Sequence, residues 1–426
     1  MRLALLAWRY LWARPLVAVL NLVLLSLGLA SMTFVILASE QVEHAVQRDL
    51  AGIDLVVGAK GSPMQLILSG VFHLDSPTGN IPLGTVKLLR DHSLVDRVVP
   101  LSLGDSLHGF RIVGTTREYL DLYGGQIELG RTWKIPLEAV LGADAAAELK
   151  LRPGDTFAGS HGLGMGGDEH DHYRYTVVGT LARTGTVLDR LVVTSTESVW
   201  AVHAHHGSAP AEAGQPADEH RDDHKDDHDH GHDGDHDASH EDEDDPREVT
   251  LLLVSYRSPL AAVSLPRWVN TQPALQSAAP AFETARLMKM VGAGTEVLRG
   301  FGVVLLAAAG LSVFIGLYHA VRERQADLAM MRMLGAPPRR VATLVVAEAL
   351  WLALLGIIIG LVAGHAVTHL LGSYLQTERS LSLTGAWVSP WEAVVPAAAV
   401  LLALLSAALP AIRAFRLDVT KLLQAH

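Results

Sequence analysis

The chain has no cysteine among its 426 residues. Disulfides, thiolate zinc sites, iron–sulfur clusters and cysteine nucleophiles are excluded, and a metal can be held only by His, Asp, Glu or backbone oxygen. Charge is also scarce. Asp, Glu, Lys and Arg make up 19% of the residues, against roughly a quarter in soluble domains. Hydrophobic residues reach 49% and mean hydropathy is +0.26, which argues against a single soluble domain. No basic stripe with interleaved aromatics occurs, so nucleic-acid binding has no support. No G-x-S-x-G, H-E-x-x-H or paired-carboxylate motif stands out, so no catalytic residues are expected.

The net charge of −11 is not an average property. Residues 218–245 hold fifteen acids against Arg221 and Lys225, a local balance of −13 that leaves the rest near +2. The acidity belongs to one segment and says nothing general about partners.

Four apolar runs are long enough to cross a bilayer: residues 16–38, 300–320, 342–371 and 393–412. Arg2, Arg9 and Arg14 precede the first, which reads as an uncleaved signal anchor because a cleaved signal has a shorter apolar core. The third carries Glu348, His365 and His369 near its ends. Arginine is asymmetric between the connections. Arg322, Arg324, Arg332, Arg339 and Arg340 lie between the second and third runs, and Arg413, Arg416 and Lys421 follow the fourth; the 372–392 loop has only Arg379. The positive-inside bias places residues 1–15, 321–341 and 413–426 in the cytoplasm and 39–299 outside it. The expected fold is a membrane α-helical bundle of four transmembrane helices, with an extracytoplasmic α+β domain inserted between helices 1 and 2.

Within 39–299, residues 40–50 and 281–299 read as helices continuing the adjoining spans, the second weakened by Gly292 and Gly294, and together as a stalk. Between them, 53–59, 110–116, 173–182 and 190–195 are short β-branched runs bounded by Gly, Asp or Thr, which is strand chemistry. Residues 137–151 read as strand, turn and helix, and 151–157 as a turn into another strand. Residues 203–245 hold little that can be buried and read as a disordered His/Asp-rich insertion, with an ordered strand restarting in 245–256.

The stretch VRERQADLAMMRMLGAPPRRVATLVVAEAL (321–350) resembles the coupling segment of FtsX-like, or MacB-type, ABC transporter permeases, whose pattern is V-x-E-R-x-x-E-I-G-x-x-R-A-x-G-A. Arg322, Glu323, Arg324, Asp327, Arg332, Gly335 and Ala336 match or nearly match it, and Glu348 matches an acid found early in the next span. Asp327 stands where Glu is common, and Leu328-Ala329 where Ile-Gly is common. The blocks at 110–120, 140–157 and 176–195 look like that family's periplasmic core domain, and 408–423 like its C-terminal signature. The resemblance implies a dimeric permease in a bacterial inner membrane, served by separate ABC ATPase subunits that bind the ATP. The chain's lack of a G-x-x-x-x-G-K-S/T phosphate loop agrees with that division of labour. A short helix with Leu328, Met331 and Leu334 on one face, flanked by Arg324 and Arg332, is the expected docking element. The bland reading is a helix held at the headgroups by its arginines.

Three histidine features offer metal donors. The insertion carries His203, His205, His206, His220, His224, His228, His230, His232, His236 and His240, six of them four residues apart. Neutral imidazole suits zinc, copper and nickel, so this segment is the first candidate for Zn2+, bound reversibly rather than as a permanent cofactor. A Gly-rich cluster offers His161, Asp168, Glu169, His170 and His172, where the bland reading is a hairpin tip. His365 and His369 share a helical face near the outer end of the third run. Gly356, Gly360 and Gly364 recur every fourth residue and suit close helix packing, with a dimer seam as the expected place.

The sequence thus reads as a permease subunit that couples hydrolysis by a separate ATPase to motion of an outer domain, with zinc or another divalent metal as cargo. A periplasmic metal-binding protein and membrane lipid are the further partners expected. The alternatives are export or release of lipoproteins, peptides or hydrophobic compounds, and a membrane metal sensor or buffer.

Overall fold

The computed structural model describes residues 2–162, 169–203, 247–379 and 383–416. The chain divides into a helical unit, Met1–Gln47 with Ala285–His426, and a sheet unit, Arg48–Thr284.

In chain order the elements begin with α1 (Arg2–Leu11) and α2 (Pro15–Asp49). The sheet unit follows with β1 (Leu55–Ala59), α3 (Pro63–Gly70), β2 (Ile81–Pro82), α4 (Gly84–Arg90), β3 (Val95–Leu107), β4 (Phe110–Thr115) and α5 (Arg117–Leu122). Next come β5 (Ile127–Gly130), β6 (Glu138–Leu141), α6 (Ala143–Leu149), β7 (Thr156–His161), β8 (Glu169–Leu181), β9 (Val192–Ser195) and α7 (Thr196–His203). It closes with β10 (Glu248–Val249), β11 (Leu251–Tyr256), α8 (Ala261–Thr271) and β12 (Leu275–Ala278). The last four helices are α9 (Pro280–Glu323), α10 (Gln325–Met333), α11 (Pro338–Arg379) and α12 (Val394–Phe415).

The main sheet runs β12-β1-β11-β3-β4-β9-β6-β8-β5, with β7 pairing β3 and β8. Only β4–β9 and β6–β8 are parallel among its described pairs. Both faces are covered, which explains the unbroken apolar runs. Val56, Leu251 and Leu253 enter one cluster, while Leu55, Val57, Leu252 and Val254 enter another on the opposite face. The second cluster is closed by Val86 and Leu89 of α4 and by Leu265 and Val269 of α8.

His73 lies in the first core with a left-handed φ of 54°. It is buried, with Nε2 2.9 Å from the Tyr119 hydroxyl. Burial, followed by the Arg111 charge, lowers its pKa from 6.5 to about 3, so it is neutral when folded. Unfolding restores an ordinary imidazole that binds a proton more readily. The stability tied to His73 is therefore complete above pH 6.5 and is lost as pH falls from there toward 3. Comparing urea midpoints at pH 7.5 and 5.0 should show a smaller acid loss in His73→Gln than in the unmodified protein. Equal losses would remove His73 as the titrating group.

In the helical unit, four helices are long and apolar enough to cross a membrane: Pro15–Asp49, Pro280–Glu323, Pro338–Tyr374 and Pro390–Phe415. Residues 40–49 belong to α2 and 281–299 to α9, which stays helical through Gly292 and Gly294. The glycines at 356, 360 and 364 pack within the chain rather than offering a free stripe for a dimer seam. A Cβ at 360 would stand 2.6 Å from Leu29 Cβ, and one at 364 would stand 2.6 Å from Thr33 Cβ. The small residues let α11 lie against α2 with almost no side chain between. Asn21, the one amide in the first apolar run, accepts a hydrogen bond from the Ser312 hydroxyl of α9 at 2.5 Å, which offsets its burial.

Candidate coupling site

The sequence L-G-A-P-P dictates the shape of the segment between α9 and α11. Gly335 has φ 93°, which only glycine adopts without strain. The Ala336 amide donates to the Met331 carbonyl at 3.1 Å, and the Gly335 amide to that of Arg332 at 3.1 Å. These paired bonds terminate α10 in the manner of a Schellman cap. Pro338 then opens α11, where its missing N–H has no cost. Gly335 and Ala336 thus act as structural punctuation, and Asp327 lies in the first turn of α10, where its charge suits the helix dipole.

Arg324 stands at the break between α9 and α10 and faces inward. Its guanidinium donates to Glu348 Oε1 of α11 at 3.1 Å and to the Tyr10 carbonyl of α1 at 2.8 Å. It also lies over the Tyr10 ring, 4.4 Å from its centroid. The side chains are only 15% and 8% exposed, so the pair is a buried clamp joining three helices. Arg14 pairs with the neighbouring Glu323. Beside the clamp, a cleft of about 40 Å³ is lined in part by Arg14, Asn21, Arg324 and Glu348, with room for a few waters. The N-terminal helix is held independently, with Trp351 Nε1 donating to the Ala4 carbonyl at 3.0 Å and its ring edge-to-face with Trp8.

The expected docking face of α10 divides in two. Leu328 is buried in the helical core and Met331 packs against it, because the apolar stripe of α10 is consumed by the bundle. The residues left outward are Met330, Met333 and Leu334, 54%, 55% and 84% exposed. Arg322, Asp327, Arg339 and Arg340 are also exposed, whereas Arg332 is half-buried. Tyr10 was not foreseen as part of the site; its signal was a tyrosine among the arginines of the first fifteen residues.

The histidines fall in three places. His205, His206 and His220, His224, His228, His230, His232, His236 and His240 lie outside the described residues, as does Asp168. His161 is on β7, and Glu169, His170 and His172 are on β8. His365 and His369 are both on α11, where His365 fastens the following loop. Its Nδ1 is 2.7 Å from the Gly385 carbonyl, and its Nε2 is 3.2 Å from Glu392, the residue that completes a capping box with Ser389. A Cβ on Gly385 would stand 2.8 Å from His369 Cβ. Among the described residues, no group of three or more His, Asp or Glu is close enough to hold a metal.

Comparison with known proteins gives two family matches. Residues 299–419 match the FtsX-like permease C-terminal family, and residues 18–218 match the MacB-like periplasmic core domain. No curated protein matches the chain. Among solved structures, it is similar to the periplasmic region of MacB from Actinobacillus actinomycetemcomitans, 11% identical, over 57% of this chain and 95% of that one, with a TM-score of 0.33. It is also similar to the extracellular domain of the noncanonic ABC-type transporter YknZ from Gram-positive bacteria, 13% identical, over 53% of this chain and 98% of that one, with a TM-score of 0.29.

Proposed function

We propose that this chain, whose residues 299–419 match the FtsX-like permease C-terminal family and whose residues 18–218 match the MacB-like periplasmic core domain, passes motion driven by a separate ABC ATPase from the cytoplasmic face to its sheet unit. The observation that carries the reading is the end of α10. Two methionines and a leucine project outward from a helix whose other face is spent on the bundle. Flexible, polarizable methionine beside an exposed leucine is suited to a groove on a soluble partner. The Arg324 clamp would pass a push on that tip to α1, α9 and α11 together. Arg332 lies beside the tip in the last turn of α10, Asp327 is in its first turn, Arg322 and Glu323 end α9, and Gly335 and Ala336 set the tip's shape.

In this reading both ends of the chain and residues 321–341 are cytoplasmic, residues 39–299 are periplasmic, and two permease chains work together in a bacterial inner membrane. The cargo is zinc or another divalent metal, and the histidine-rich stretch 203–245 concentrates it beside the outer domain. That cargo assignment is supported by ten imidazoles among many carboxylates, a donor set suited to transition metals.

Met333→Glu combined with Leu334→Glu should abolish co-purification with the partner ABC ATPase, while the permease still inserts and elutes normally in detergent. Full retention of the ATPase by that variant would overturn α10 as the docking element.

A further inference from the structure

The sheet unit buries a guanidinium without giving it a carboxylate. Arg111 of β4 is 5% exposed. Its hydrogen bond goes to a backbone oxygen, the Asp75 carbonyl, at 2.9 Å, and its Nε has no partner among the described residues. Asp75 is the acid whose charge it feels, but the Asp75 carboxylate takes the Ser76 amide at 2.7 Å rather than the guanidinium. Burial, opposed by that charge, lowers the Arg111 pKa to about 10, so it stays charged at neutral pH. Two neighbouring polar atoms also lack partners. Ser106 stands directly opposite Arg111 in the β3–β4 ladder, where antiparallel partners point to one face with Cβ atoms about 4.5–5.5 Å apart. Its hydroxyl is buried and unpartnered among the described residues. His73, whose low pKa owes first to burial and then to the Arg111 charge, has a buried Nδ1 in the same condition. Donation from the Tyr119 hydroxyl to Nε2 leaves Nδ1 with the ring proton.

The segment 71–80, which carries His73 and the Asp75 carbonyl, is fastened independently. The Leu74 amide donates to the Leu68 carbonyl at 2.8 Å, Gln65 Nε2 to the Ser76 carbonyl at 3.0 Å, the Thr78 hydroxyl to the Ala59 carbonyl at 3.0 Å, and the Thr250 hydroxyl to Asn80 Oδ1 at 3.2 Å. Such bonds hold His73 at its left-handed φ, a conformation that persists only where the surroundings impose it. A buried charge without a counter-ion is costly, and a neutral water relieves only the hydrogen bonds. Arg111 Nε–H, Ser106 O–H and His73 Nδ1–H are all donors, so the ligand that satisfies them is an acceptor carrying negative charge. Arg111, His73 and Ser106 are 5%, 7% and 1% exposed, which leaves no mouth for the end of a larger molecule. We propose that Arg111, Ser106 and His73 form an enclosed site for a small monovalent anion of the chloride class, which locks the 71–80 segment to β3 and β4. The site lies wholly within the sheet unit and needs neither the ATPase nor the cargo, so its failure leaves the permease reading standing.

The full chain in detergent, exchanged into sodium gluconate, should gain melting temperature saturably when chloride or bromide replaces gluconate at constant ionic strength. Phosphate and acetate should give no such gain. Bound chloride should also broaden the chloride NMR line, and bromide should reverse the broadening. Ser106→Ala removes a hydroxyl that has no other partner among the described residues, so it should keep the halide-free melting temperature. It should raise the halide midpoint concentration at least about tenfold, the loss expected for one hydrogen bond to a charged group. Arg111→Gln should abolish both signals, but Ser106→Ala carries the decision, because losing Arg111 also removes the bond to the Asp75 carbonyl. A melting temperature and line width indifferent to halide, as water alone at these donors would give, would overturn the site. So would a response to phosphate or acetate without one to halide, or a halide midpoint unchanged in Ser106→Ala.

Discussion

Arg324→Ala should cost the helical unit about 3–5 kcal/mol, because it leaves the Glu348 carboxylate buried without its cation. Replacing both residues, as Arg324→Met with Glu348→Leu, should recover most of that loss, since an apolar pair of similar size carries no desolvation penalty. The two variants therefore separate stability from coupling. The double variant should resist thermal aggregation in detergent as the unmodified protein does. It should nevertheless fail to change ATP turnover by the partner, because the bond from Arg324 to the Tyr10 carbonyl is gone and α1 is no longer tied to the break between α9 and α10. A stable double variant with full coupling would reduce the clamp to a packing feature.

Gly360→Leu should prevent recovery of monodisperse protein. Even an alanine at 360 places its Cβ 2.6 Å from Leu29 Cβ and 3.2 Å from the Ser26 carbonyl oxygen, so a backbone must move. Alanine at 360 or 364 is expected to cost about 1–3 kcal/mol through overpacking. Gly356→Ala should be milder, because its nearest neighbour is Leu25 Cδ2, the far end of a side chain that can rotate. Thermal profiles by fluorescence-detected size exclusion would rank the series. A Gly360→Leu protein with an unchanged profile would show that α11 does not lie against α2 at this point.

Much of the molecule is written locally. A helix able to cross a bilayer needs only about twenty apolar residues in a row, and all four runs return as helices of sufficient length. The strand runs at β1, β4, β8 and β9 were legible for a similar reason, since β-branched residues bounded by Gly, Asp or Thr carry their own signal. β3 was not. Its stretch was not among the strand runs, and it contains Pro100 and Gly104; yet β3 lies between β11 and β4, with Pro100 paired to Leu252 and its carbonyl accepting from the Thr115 hydroxyl at 2.7 Å. The neighbouring strands supply what the local sequence lacks.

By itself, then, the sequence determined the number of long apolar helices, the position of the sheet unit between the first and second, and the Gly335 stop that separates α10 from α11. These depend on residue type and on spacing within one turn or one strand. Only the tertiary structure decided which way those elements face. Leu328 turned inward and left Met330, Met333 and Leu334 outside, Arg324 found Glu348 and Tyr10, the glycines of α11 met α2, and Asp105 met His203. Each of those outcomes joins residues far apart in the chain. Periodicity can name the face of a helix, but the identity of its neighbour is fixed only when the elements pack and every buried polar group must find a partner.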